Sequence, residues 1–176
     1  VAGRIDESRP FLAVQIALLT VSDTRTLATD TSGTVLAELI AATGHRLVHR
    51  AILPDVQSAI EDQLRRWIAD DAVDVVIATG GTGLTGRDVT PEAFATVIEK
   101  EIPGFGELFR MLSYQKIGTS ALQSRCIAGL ARQTYLFALP GSPSACRDGW
   151  EIIGPQLDNR YRPCNLVELM PRLSER

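Results

Sequence analysis

Four glycines fall between Gly80 and Gly86 in the stretch VVIATGGTGLTGRDVTPEAF, Val75–Phe94, and an Arg87–Asp88 pair closes the run just before Thr90–Pro91. A loop of this kind can offer bare backbone N–H groups to an anion, because Gly80, Gly81 and Gly83 allow close approach and positive φ. Asp88 would then act through Mg²⁺, which takes carboxylate oxygens together with substrate phosphates. Two better-known phosphate patterns fit less well. Gly81, Gly83 and Gly86 satisfy G-x-G-x-x-G, but Arg87 to Thr90 intervene before any helix opens. Gly81 and Gly86 have the P-loop spacing, but Arg87 and Asp88 stand where Lys and Ser or Thr belong. The plain alternative is a glycine-rich turn joining a strand to a helix.

Other chemistry-bearing residues follow apolar runs in the same way. Ser22–Asp23 follows VQIALLTV, Pro54–Asp55 follows HRLVHRAIL, and LPGSPSA, Leu139–Ala145, closes TYLFALP. Asp55 reads either as a second metal ligand or substrate orienter, or as the N-cap of a helix beginning at Val56. Asp88 reads as a Mg²⁺ ligand, or as an N-cap or a partner of Arg87. Ser142 can cap the helix opened by Pro143 and bind phosphate as well, since a capped helix start keeps spare N–H donors. Asp23 and Asp30 are weaker candidates, solvated or capping. Ser113 and Ser124 are assigned no chemistry, and Lys116 reads as a surface lysine.

The elements that must position these groups alternate. Strands are expected at Val14–Val21, over HRLVHRAIL and at Val73–Thr79. Helices are expected over Thr31–Thr43 and from Val56 to Ile68, the latter with Val56, Ile60, Leu64, Trp67 and Ile68 on one face. A helix capped by Thr90 begins at Pro91. GELFRMLSYQKI is expected to be helical, GTSALQSR a loop or short helix, and CIAGLA and TYLFALP an antiparallel edge hairpin turning at Arg132–Gln133. The last long helix starts at Pro143 and is expected to kink or end at Gly154–Pro155. The tail reads as an extended arm. Together they predict an α/β fold, a three-layer sandwich whose mostly parallel sheet carries helices on both faces. Ligands of such sheets bind beyond the carboxyl ends of the strands, where all these loops would meet.

Composition bounds the rest. The 176 residues are 45% hydrophobic and 22% charged, ordinary for a soluble domain. A net charge of −3 without a long basic run argues against non-specific nucleic-acid binding or adhesion to acidic membranes. No apolar stretch is long enough to span a bilayer. The opening VAGRIDESRP lacks the apolar core of a secretory signal and reads as a partly mobile leader, residues 1–12, before a single domain over 13–176. Cys126, Cys146 and Cys164 are widely spaced, which disfavours a disulfide framework and points to the cytoplasm.

ATGGTGLTGRDVTPEAF, FRMLSYQKIGTSALQSRCIAGLA, LPGSPSACRDGWEIIGPQLDNRYRPCNLVELMPRL and LTVSDTR…TDTSG together resemble the molybdopterin-binding family of molybdenum cofactor biosynthesis. The RPCN tail points to its B subgroup. The resemblance implies an α/β sandwich assembled as homotrimers, or as hexamers built from trimers. It implies molybdopterin and ATP as ligands, with Mg²⁺. The implied reaction adenylylates molybdopterin and releases pyrophosphate, and the product accepts molybdate later. Residue by residue, Asp55 and Asp88 match the family's essential carboxylates, Gly80, Gly81, Thr82 and Gly83 its ligand loop, and Gly141 and Ser142 the loop that holds the pterin's phosphate. Some proteins of the B type look similar without catalysing the step, so a molybdopterin-binding or carrier role is the alternative.

Overall fold

The computed structural model describes residues 3–175. Its main sheet has six strands, four of them parallel. These are β2 (Gln15–Val21), β3 (Arg46–Leu53), β4 (Val75–Thr79) and β7 (Thr134–Leu139), in the order β3-β2-β4-β7. Beyond β7 the sheet continues antiparallel through β6 (Ile127–Ala131) and β5 (Lys100–Glu101). The β6–β7 hairpin turns at Arg132–Gln133, as the sequence predicts, with Arg132 at φ 51°. The two-residue strand β5 is an addition that no periodicity signals.

Strand residues alternate between two cores, as a pleated sheet requires. Ile16, Leu18, Val75, Ile77, Tyr135 and Phe137 face α1 (Thr31–Ala42), α4 (Pro103–Ile117) and α5 (Pro143–Gln156). Ala17, Leu19, Val76, Ala78, Leu136 and Ala138 face α2 (Gln57–Ile68) and α3 (Thr90–Val97). The sheet is therefore covered on both sides, which is why its strands read as continuous apolar runs. Each fully buried Leu or Ile contributes roughly 1.5–3 kcal/mol of burial. Leu18, Leu19, Leu36, Ile40, Ile60, Leu64 and Ile77 all belong to that class.

The structure decides several local readings. The α3 cap position is held by Val89, with no side-chain cap; Thr90 is the first helical residue, and its hydroxyl bonds the glycine loop instead. Val56, not Asp55, occupies the α2 cap, also without a side-chain bond, so Asp55 is not the N-cap. Helix α5 ends at Gln156, one residue past Pro155, in keeping with the expected end at Gly154–Pro155. The tail is no simple extended arm. It carries β8 (Tyr161–Arg162), which pairs antiparallel with β1 (Arg4–Ile5), and then a 3-10 helix over Val167–Arg172. Part of the expected leader is thereby tied to the tail. A second 3-10 helix, Gly118–Gln123, fills the segment left open between loop and helix. Among the described residues, no helix is long and apolar enough to cross a membrane.

The register matters most for function. Val21 pairs with Leu53, Thr20 with Thr79, and Thr79 with Leu139, so four parallel strands end level with one another. The chain leaves β2 towards β3 on one side and returns to β4 on the other. This reversal of direction opens a crevice between the ends of β2 and β4.

Candidate functional site

At that crevice the loop after β4 lies hard against the end of β2. Gly80 has φ 101° and Gly81 φ 65°, both in the left-handed region. A Cβ on Gly80 would lie 2.2 Å from the Val21 carbonyl oxygen. Gly80→Ala is accordingly expected to cost about 2–5 kcal/mol, summing backbone strain and backbone collision. Urea unfolding followed by circular dichroism reads that loss directly.

The loop's carbonyls are turned into the protein. The Thr90 hydroxyl donates to Gly80 O at 2.8 Å, and the Thr90 N–H to Gly81 O at 3.0 Å. Arg125 takes three more: its N–H donates to Thr82 O at 3.2 Å, its Nε to Gly83 O at 2.7 Å, and its Nη2 to Asp88 O at 2.9 Å. Glu92 pairs with the remaining Nη1. Among the described residues, the N–H groups of Gly81 and Thr82 have no protein acceptor. With acceptors consumed and donors bare, the loop presents a concave, partly positive surface suited to an anion.

Three carboxylates border this surface in different states. Asp23 accepts a forked pair from Arg87, Nη2 at 2.7 Å and Nε at 3.1 Å, and also the Asp55 N–H at 3.1 Å. Its carboxyl is held below the usual range, chiefly by Arg87. Asp88 accepts the Thr85 hydroxyl at 2.6 Å and the Thr85 N–H at 2.8 Å, both through Oδ2. The Thr85 hydroxyl is the main reason its carboxyl is lowered. Asp55 differs. Among the described residues no side-chain donor bonds it, and its carboxyl is raised, first by partial burial, then by the Asp23 charge, with Arg87 opposing, Asp88 adding and the Asp23 N–H opposing slightly.

Asp55 is thus a carboxylate held against two like charges, and its ionisation weakens the fold. A carboxyl raised above its unfolded value stabilises the protonated folded form, so stability falls as pH climbs above the unfolded value near 3.8. Asp55→Asn should therefore be more stable than the parent at pH 7, on the order of 0.5 kcal/mol, with the difference vanishing below about pH 4. Thermal melts at pH 7 and pH 3.5 without divalent cations check the sign.

Two cavities meet along this rim. The larger, 470 Å³, runs from Gly81, Thr82 and Gly83 across to Gly141 and Ser142, with Phe109, Ile117 and Ala121 on its apolar wall. The smaller, 260 Å³, is lined by Thr20, Ser22, Arg25, Asp55, Gly80 and Arg87, among others. Gly81, Asp88 and Gly141 belong to both. At the larger cavity's edge Ser142 caps α5, its Oγ accepting the Ala145 N–H at 3.1 Å.

A family model described as a probable molybdopterin binding domain matches residues 17–159. The chain belongs to this molybdopterin-binding family. It is 52% identical over 159 residues to molybdenum cofactor biosynthesis protein B of Escherichia coli K12, covering 90% of this chain and 94% of that one. To the protein of the same name from Staphylococcus carnosus it is 47% identical over 150 residues, covering 83% and 88%. A crystal structure of a molybdenum cofactor biosynthesis protein B superposes with a TM-score of 0.85 at 38% identity, covering 96% of this chain and all of the other.

Within this molybdopterin-binding domain, the residues singled out from the sequence converge. Gly81, Thr82, Gly83, Asp88, Gly141 and Ser142 line the larger cavity, and Asp55 and Gly80 join Gly81, Asp88 and Gly141 in the smaller. Asp88 is neither a helix cap nor the partner of Arg87, which goes to Asp23. Ser113 and Ser124, assigned no chemistry, also line the larger cavity. Lys116 is a surface lysine paired with Asp148. Arg125 is the main omission. It sits between a loop and a strand, with no spacing signal, and its three carbonyl contacts lie about 40 positions away in sequence.

Among the described residues, no group of three or more metal-ligating side chains converges. The donor set nonetheless fits Mg²⁺, which keeps several waters and takes one or two carboxylates plus substrate phosphates. Among the described residues no side chain donates to Asp55, and Asp88 takes both Thr85 bonds through Oδ2, so its Oδ1 has no side-chain donor.

Proposed function

We propose that the chain binds molybdopterin in the larger cavity and adenylylates its phosphate with ATP, releasing pyrophosphate. The observation that carries this reading is the shared wall of Gly81, Asp88 and Gly141, which brings the occupants of two cavities into contact beside two carboxylates. The Ser144 N–H, the one first-turn donor of α5 left among the described residues after Pro143 and the bonds of Ala145 and Cys146 to Ser142, would hold the pterin's phosphate together with the Ser142 hydroxyl. The Gly81 and Thr82 N–H groups would face the triphosphate.

An oxygen of the pterin phosphate attacks the α-phosphorus of ATP. A new P–O bond forms while the bond from that phosphorus to the bridging oxygen breaks, and the electron pair leaves on pyrophosphate. The attacking phosphate is already ionised near pH 7, so the step calls for no general base. This suits a site from which the two histidines, His45 and His49, are absent: both lie in or next to β3, away from these cavities. Positioning and charge neutralisation then carry catalysis. Asp55 and Asp88 are the residues that would hold Mg²⁺, which supplies neutralisation of the triphosphate when bound.

A carrier that holds the pterin without turnover is the second reading. One observation favours it: no Lys or Arg lines the larger cavity among the described residues. Mixing the protein with Mg-ATP and molybdopterin and measuring pyrophosphate through a coupled pyrophosphatase decides between the two. Turnover supports the enzyme, and tight pterin binding without pyrophosphate supports the carrier. A reaction that consumes ATP is read as cytoplasmic. The exposed Leu108, Met111, Ile117 and Leu122 support self-association, read here as a homotrimer or a hexamer of two trimers.

A further inference from the structure

The wall of the larger cavity formed by α5 has a second polar end that the reaction does not use. Ser142, Ala145 and Asp148 all line the cavity at intervals of three, so one face of the helix runs along it. Asp148 lies six positions after Ser142, about 9 Å along the helix axis. Apart from Asp88, Asp148 is the only ionisable side chain lining this cavity among the described residues. Its side chain is 15% exposed, and Lys116 on α4 donates to its Oδ1 at 2.5 Å. Lys116 also lies 3.6 Å from Glu151, so the lysine is held from two sides and fixes the Asp148 carboxylate in place.

We infer that Asp148, oriented by Lys116, reads the amino-pyrimidinone edge of the pterin and so determines which flat ring occupies the larger cavity. This rests on the proposed pterin site. The edge in question presents two parallel N–H donors, the 2-amino group and N3–H, and a carboxylate accepts such a pair with both oxygens. The opposite end of the same ligand carries the phosphate, and the opposite end of the same helix face is its capped N-terminus. Phe109 and Ile117 supply the apolar wall between the two ends. Adenine offers a donor beside an acceptor, N6–H next to N1, and the acceptor would face a carboxylate oxygen. The pair therefore selects pterin and leaves ATP to the smaller cavity. Selection of this kind is strong because a mismatched partner leaves a desolvated polar group unpaired.

The test uses two fluorescent probes with the full chain: 6-hydroxymethylpterin phosphate and its 2-oxo analogue, 6-hydroxymethyllumazine phosphate. The lumazine edge presents an acceptor where the pterin has its amino group. The parent protein is expected to bind the pterin probe at least tenfold more tightly than the lumazine probe. Asp148→Asn, whose amide can donate to the 2-oxo group, should lose or reverse that preference. Circular dichroism confirms the fold of the variant, in which only an exposed lysine loses a partner. If the parent binds the pterin probe and discriminates no better than the variant, the role of Asp148 is overturned while the pterin site stands. If the parent binds neither probe, the pterin site falls, and the role of Asp148 with it.

Discussion

Asp88→Asn is expected to lower pyrophosphate release by about 100- to 1,000-fold, the range seen when one group that stabilises developing charge is removed. The substitution is nearly isosteric. An amide oxygen in place of Oδ2 can still accept the Thr85 hydroxyl and N–H, at 2.6 and 2.8 Å in the parent. The turn that carries the residue is therefore retained. The charge is lost, and with it one of the two oxygen donors available to a divalent cation. The carboxyl is already depressed, chiefly by the Thr85 hydroxyl, so it is ionised well below neutral pH and the activity at pH 6–9 should show no titration from Asp88. Raising Mg²⁺ should restore part of the variant's rate if the loss is one of cation affinity, since a single carboxylate at Asp55 remains. A variant that turns over at the parent rate would remove Asp88 from the reaction. One that also loses pterin binding would instead place it in ligand recognition.

The legibility of each part of this site in the sequence depends on the physics that builds it. The rim is legible because parallel strands covered on both faces leave continuous apolar runs, and the loops that close those runs must share one edge. Asp23, Asp55, the glycine loop and Ser142 are all found that way. Nothing in the sequence shows that Asp23 is consumed by Arg87, 64 positions away, leaving Asp55 without a side-chain partner among the described residues. Arg125 is hidden for the same reason: its contacts are side chain to backbone, set by tertiary approach and invisible to local pattern. The cap expected at Thr90 and the cap weighed as the alternative at Asp55 fail for one cause. Local propensity offers both side chains to a helix start, but the site holds Thr90 on the Gly80 carbonyl and turns Asp55 towards Asp23 and Asp88. Tertiary contacts override local preference at both positions, the kind of departure that marks functional sites in general.

Asp30 illustrates the converse, a residue read as solvated or capping that is structural and buried. Its Oδ1 accepts the Gly33 N–H at 2.9 Å, and its Oδ2 accepts the Thr20 hydroxyl at 2.7 Å and Arg50 Nη2 at 2.9 Å. It thus caps α1, fixes that helix to β2 and pairs across to β3 at once. Asp30→Ala is expected to destabilise the chain by about 2–4 kcal/mol, because it removes the α1 cap and the buried member of an ion pair whose Arg50 is only partly exposed. Arg50 Nε is buried without a partner even in the parent, and Nη2 would keep only the neutral Thr34 hydroxyl, at 3.1 Å. Burial pushes the Asp30 carboxyl up, but the bonds from Arg50, Thr20 and Gly33 outweigh it and leave the group below its ordinary value of 3.8. A group depressed in the folded state stabilises above the unfolded value, and that contribution fades as pH falls through the folded value. The parent should therefore lose stability on acidification below about pH 4, and Asp30→Ala should show a shallower acid limb in urea melts at pH 7, 4 and 2.5. Asp30→Asn should fall between, since an amide oxygen can keep the Gly33 N–H but not the charge pair. Because Thr31 and Ser32 line the smaller cavity, weaker ATP affinity should accompany the loss. Equal stability of parent and Asp30→Ala at pH 7 would mean that the α1 entrance is held by packing alone.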